Sequence, residues 1–254
     1  MLNKSNIKML TRPKIFFLTL FLHAVSFCMG EKVLFIGNSY TAQCSKTISG
    51  LFKNESPDWS LSFHTRGGKD LAFHLADSQV TKKINSQKWD FIVLQEQSQK
   101  SGLGGKFSQS FNESVASFSK IIRKAGAIPS LYLTWGRKNG DKRNSGIYPT
   151  YEAMQKKISS AYLLAGEKSK ARILPVGFAY TEVKKKNQEL FEKLYRNDGS
   201  HPATHGAYLV SCVFWGGLTG KDPRTIKFNG PLSKEDAKSL RSAAQIGLQN
   251  VKRN

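Results

Sequence analysis

The chain has 254 residues, 39% of them hydrophobic, and carries 39 Lys and Arg against 18 Asp and Glu for a formal charge of +21. The basic residues are dispersed (Lys82 and Lys83, the stretch 138–143, Lys184 to Lys186) and do not gather into one block with interleaved aromatics, so the chain lacks the stripe that nucleic-acid binding needs. A dispersed basic surface is either plainly solvated or attracts an acidic partner, such as a sulfated or uronate-bearing polysaccharide.

The first thirty residues hold Lys4, Lys8, Arg12 and Lys14 and no acid, ahead of an apolar stretch over 15–27. That is the charge and length of an export signal, too short to span a bilayer comfortably, with cleavage expected near 28–30. Lipid attachment at Cys28 is disfavoured, because the bulky Phe27 precedes it. Cleavage leaves residues 31–254 as one domain that reads as exported, periplasmic or extracellular, with no stable membrane insertion. Four basic residues go with the leader, so 224 residues of charge +17 remain. A chain of that length buries roughly 70 to 75 per cent of its unfolded surface in one core, and no linker, repeat or low-complexity tract divides it. The remaining cysteines, Cys44 and Cys212, permit a disulfide, but two buried free thiols are expected.

Short apolar runs alternate with longer amphipathic ones, the pattern of strand–helix units around a parallel sheet. Strands are predicted over 33–36, 61–64, 91–94, 128–134 and 172–175. Helices are predicted over 42–53, 71–83, 108–125, 148–166 and 181–195. After the sequence NDGSHP (197–202), an apolar helix is expected over 204–218 and an outer helix over 233–251, capped by Ser233. The fold class is therefore α/β, a three-layer α/β/α sandwich with a central parallel sheet of about five strands. In such sheets ligands bind beyond the carboxyl ends of the strands. The junctions there read GNSYT, RGGKD, QEQSQ and TWGRKNG, each rich in glycine or hydrogen-bonding side chains.

Two of these junctions carry the elements of nucleophilic catalysis. Ser39 stands where a strand turns into a helix, so its own N–H points with the helix N-terminus toward a developing oxyanion. The plain alternative is that Ser39 or Thr41 only caps that helix. Asp198 precedes His201 by three residues in a glycine turn, a spacing that lets the carboxylate fix the imidazole tautomer. Pro202 suits the first position of a helix and would hold His201 at its entrance; the plain alternative is a turn and cap with an incidental histidine. His201 and His205, four apart, could join Asp198 around zinc, but no HExxH pattern or Cys/His cluster accompanies them, so neither metal nor cofactor is expected. The GxSxG elbow of the other large class of α/β hydrolases is absent.

Taken together, GNSYT as a variant of the GDS block, RGGKDL, DFIVLQEQSQ and DGSHP resemble, in order, the four blocks of the SGNH (GDSL-like) hydrolase superfamily, across roughly residues 32–220. LQEQS, TWGR and PVGFAY are similar to a less characterised bacterial branch. The resemblance implies a flavodoxin-like fold and a serine esterase with Ser39 as nucleophile, His201 as base and Asp198 as its partner. It also implies an oxyanion hole formed by Ser39 and Gly68. The family's third-block asparagine is missing, and Gln97 is assigned its place, with Gln95 and Gln99 as the competing registers. Tyr40, Trp135, Gln95 and His74 are expected to contact substrate and Tyr148 and Tyr180 to lie on the rim, where the aromatics could stack on sugar rings; the plain alternative is that these aromatics fill the core. The expected substrate is an O-acylated, above all acetylated, carbohydrate or another small ester. A lipase-like esterase and a non-catalytic polysaccharide-binding protein are the competing functions.

Overall fold

The computed structural model describes residues 30–251. The expected leader, Cys28 included, lies outside the described residues apart from Gly30. Five strands, β1 (Lys32–Gly37), β2 (Ser60–Thr65), β3 (Phe91–Leu94), β4 (Ile128–Tyr132) and β5 (Arg172–Leu174), form one parallel sheet in the order β2-β1-β3-β4-β5. The central strands β1 and β3 are apolar on both faces because helices cover both. Val33 and Phe35 of β1 point into one core and Leu34 and Ile36 into the other, and Phe91/Val93 against Ile92/Leu94 repeat the division on β3.

The first core is closed by α1 (Ser39–Glu55), α6 (Val176–Lys186), α7 (Gln188–Glu192), α8 (Thr204–Thr219) and α9 (Lys234–Val251). The second is closed by α2 (Leu71–Ala76), α3 (Ser78–Ile84), α4 (Gly105–Lys124) and α5 (Tyr151–Ser169). The three-layer α/β/α arrangement expected from the strand–helix alternation is the one observed. Among the described residues no helix is long and apolar enough to cross a membrane.

Helix boundaries depart from expectation at identifiable caps. The stretch 71–83 is two helices, because the Asp77 carboxylate accepts from the Gln79 N–H and starts α3 where α2 ends. Asn187 likewise divides 181–195, accepting from the Leu190 N–H to start α7, while α6 begins directly after β5. Helix α5 starts at Tyr151, three residues later than predicted, with the Thr150 hydroxyl capping it beyond Pro149. Cys44 and Cys212 are free and fully buried, and burial pushes both thiols up to about 12, so each behaves as a small apolar side chain.

Strand β1 is the topological switch point. The chain leaves it to form β2 on one side and returns to form β3 on the other, so a crevice opens at the carboxyl ends of β1 and β3.

Candidate active site

At that crevice β1 ends in Gly37 and α1 begins at Ser39, three residues earlier than predicted. The cap is Asn38, whose side chain accepts from the Tyr40 N–H at 3.2 Å, and not Ser39 or Thr41. Ser39 is thus the first helical residue and its hydroxyl is free of capping duty. Gly37 has no space for a side chain: a Cβ would lie 2.5 Å from Thr41 Oγ1 and 2.7 Å from Gln95 Oε1.

The NDGSHP loop closes over this turn. Ser39 Oγ lies 2.9 Å from His201 Nε2, and His201 Nδ1 lies 2.6 Å from Asp198 Oδ2. An ionised carboxylate only accepts, so Nδ1 carries the ring proton and Nε2 faces the serine as an acceptor. The other Asp198 oxygen accepts from the N–H groups of Ser200 and His201, each at 2.9 Å, while Gly199 at φ +64° supplies the left-handed turn. Partial burial pushes the Asp198 carboxyl up, but the His201 ring and these two N–H groups outweigh it and hold it below the usual carboxylate range. Pro202 does not start a helix. It bridges to Tyr195, and α8 begins two residues later at Thr204, so His201 is held by a backbone ladder in which the Arg196 N–H donates to its carbonyl at 2.9 Å. His205 bonds Asp236 at 3.0 Å and does not join Asp198.

The four residues expected to touch substrate are buried with partners inside the protein. Tyr40 donates to or accepts from the Ser200 hydroxyl at 2.7 Å, and Trp135 donates through Nε1 to the Ser200 carbonyl at 3.0 Å. Their rings stack at 4.6 Å, and Trp135 stacks on Tyr180 at 4.5 Å, so the aromatic column supports the histidine loop from beneath. Gln95 accepts from Asn38 N and Thr41 Oγ1 and donates to Asn38 Oδ1, which commits both ends of its amide. His74 Nε2 lies 2.9 Å from the Gly37 carbonyl, and burial lowers the pKa of its imidazole, so the neutral ring donates there. Tyr148 is also interior, its hydroxyl donating to the Gln99 carbonyl.

Gly68 and Gln97, assigned to the oxyanion hole with Ser39, lie on the loops that follow β2 and β3. Gly68 sits in the exposed turn after β2 at φ +70° with open space around it. Gln97, after β3, is half-buried, and its amide pairs with Gln99 in both directions, at 3.1 and 2.8 Å. Gln99 in turn donates to Asp141, which also accepts from Arg137 at 2.7 Å and Asn144 at 2.6 Å. A belt of polar contacts therefore runs round the crevice. Lys100 holds Asp70 on one side, and on the other the Lys138 N–H donates to the Gly199 carbonyl at 2.8 Å beside His201. Sequence reasoning missed Asn38, Asp141 and Arg137. Only the first had a signal, a strong capping residue directly before the serine.

No family model matches the chain, and no curated protein matches it. Solved structures do. A candidate SGNH hydrolase from Slackia heliotrinireducens is 25% identical, with a TM-score of 0.63 over 74% of this chain and 99% of that one. The chain is an SGNH-like hydrolase by fold. A DUF4886 family protein from Bacteroides uniformis shares the SGNH-like architecture at 20% identity and a TM-score of 0.74, covering 87% of this chain and 95% of its own. An acetylxylan esterase, Axe2 of Geobacillus stearothermophilus, shares it at 15% identity and a TM-score of 0.58, covering 75% and 95%.

Proposed function

We propose that this SGNH-like hydrolase is an exported serine esterase that removes short O-acyl groups, acetyl foremost, from a carbohydrate. The observation that carries the reading is the unbroken contact from Ser39 Oγ through His201 to Asp198, at 2.9 and 2.6 Å. Ser39 Oγ attacks the acyl carbon while His201 Nε2 takes its proton, and Asp198 stabilises the imidazolium that forms. The tetrahedral oxyanion is received by the N–H of Ser39 at the mouth of α1, the N–H of Gly68 and the amide of Gln97. As the intermediate collapses, His201 returns the proton to the leaving sugar hydroxyl. Water, deprotonated by the same imidazole, then releases the acid and frees Ser39.

The carbohydrate rests on two supports. One structural neighbour is named an acetylxylan esterase. The surface is strongly basic, which suits an acidic glycan. The buried aromatic column offers no stacking platform. Phe73 and Phe107, in the helices that follow β2 and β3, are exposed rings, 36% and 38% accessible, with Lys69 and Lys106 near their faces. Export rests on the basic and apolar leader over 1–30.

Turnover of model esters of increasing acyl length, alongside acetylated neutral and uronate-bearing oligosaccharides, tests the reading. Activity concentrated on acetyl and propionyl esters, and stronger at low salt on the uronate carrier, is expected. A preference for long acyl chains would replace this reading with a lipase-like one.

A further inference from the structure

Asn38 does more than cap α1. It is 2% exposed and its side chain is fully committed. Oδ1 accepts from the Tyr40 N–H at 3.2 Å and from Gln95 Nε2 at 2.9 Å. Nδ2 donates to the carbonyl of Lys69 at 3.0 Å and to that of Glu96 at 3.4 Å. Lys69 follows Gly68 in the loop after β2. The Glu96 carbonyl belongs to the same peptide unit as the Gln97 N–H, in the loop after β3. One amide group thus ties to the nucleophile turn both loops that carry the other proposed oxyanion donors.

We propose that Asn38 is a positioning residue that fixes the Gly68 and Gln97 loops relative to Ser39 and so sets the spacing of the oxyanion hole. The proposal rests on the reading of Ser39 as nucleophile and deepens it. The division of labour within the side chain makes it specific. The oxygen serves the helix cap and Gln95, whereas the nitrogen serves only the two loops. An aspartate, the residue of the GDS block that GNSYT resembles, keeps the oxygen's two partners and is as good a cap. It has no N–H to donate, however, and turns an oxygen toward two carbonyl oxygens. The Lys69 carbonyl then loses its donor, and the buried carboxylate between carbonyls has its pKa raised. Restoring the superfamily's common residue should therefore impair this chain. Once protonated, that carboxyl regains one donor.

Asn38→Asp and Asn38→Ser, in the full chain, separate this from a general loss of structure. Serine keeps a capping oxygen, carries no charge and is too short to reach either loop. Hydrolysis of 4-nitrophenyl acetate and the rate of fluorophosphonate labelling are measured for each, with thermal unfolding alongside. Both variants are expected to lose about 10- to 100-fold in kcat at pH 8, the scale of a 1 Å displacement of a catalytic group, with KM little changed. Relative to wild type, N38D is expected to recover activity from pH 8 to pH 6, while N38S holds a constant ratio. Wild-type kcat in either folded variant overturns the proposal, and so does a pH-independent ratio for N38D. Ser39→Ala is the control: if it retains turnover, the functional reading itself fails. If it is inactive while N38S matches wild type, the tether alone fails.

Discussion

Replacing Asp198 by asparagine isolates the contribution of the carboxylate to the relay. The side chain keeps its shape, and its remaining oxygen can still accept from the Ser200 and His201 N–H groups now bonded at 2.9 Å each, so the loop keeps its turn. The change falls on the other oxygen, 2.6 Å from His201 Nδ1, which becomes an NH2 group. Two donors cannot face each other, so the ring shifts its proton to Nε2 and presents an N–H to Ser39 Oγ, where the reaction needs a lone pair. Asp198 is about half exposed, at 48% of its side chain, and its direct electrostatic benefit is screened by water; the loss comes mainly from the tautomer. A wrong tautomer in such a relay costs on the order of 10⁴ in kcat, or about 5.5 kcal/mol of barrier. The assay is kcat and KM on 4-nitrophenyl acetate with unfolding measured in parallel. A variant that unfolds like the wild type, with KM unchanged and kcat down by about three to four decades, is expected. A loss below about tenfold in kcat would refute the assignment of Asp198 as the orienting group.

Three further outcomes follow from the surroundings of the site. Glu96 is 2% exposed, and desolvation, reinforced by Asp70 and opposed by the Gln97 and Leu71 N–H groups and Lys100, pushes its carboxyl up to about 7. A carboxyl raised in the folded state holds its proton there after the unfolded chain has released its own, so stability falls as pH rises from about 4.5 to about 7, by roughly 3 kcal/mol. Glu96→Gln should flatten that decline and raise the melting temperature at pH 8, and a variant no more stable than wild type at pH 8 would contradict it. Trp135→Phe keeps the stacked column but leaves the Ser200 carbonyl without its indole donor, so kcat should drop several-fold at similar KM, while a rise in KM alone would return Trp135 to the substrate surface. Gly37→Ala forces a methyl to within 2.5 Å of Thr41 Oγ1, and it should lower both stability and kcat; a fully active, equally stable protein would mean that the turn is looser than described.

The strands were legible because a sheet covered on both faces writes unbroken apolar runs, VLFI in β1 and FIVL in β3, into the chain. The helix divisions at Asp77 and Asn187 were not, since a residue that ends one helix and caps the next looks from the sequence like one more polar position on a continuing face. At the site, the Asp198–His201 spacing lies within one local turn and could be read directly. The meeting of Ser39 with His201, 162 residues apart, could be inferred only because both junctions fall at the same end of a parallel sheet. The aromatic residues were misjudged for a geometric reason: successive helical positions differ by about 100° in direction. If Ser39 faces the crevice, Tyr40 turns toward the core, where Trp135 and Tyr180 stack in line with it. Proximity in sequence to a catalytic junction did not indicate which side of the backbone a ring would take.

The central claim is that the Ser39 hydroxyl is activated by His201. Covalent labelling by a fluorophosphonate, with the modified peptide identified by mass spectrometry, tests it most directly, because only an activated serine reacts at an appreciable rate. Stoichiometric modification at Ser39, abolished in Ser39→Ala and strongly slowed in His201→Ala, is the result expected. An unlabelled protein, or a label carried on another serine, would contradict the account.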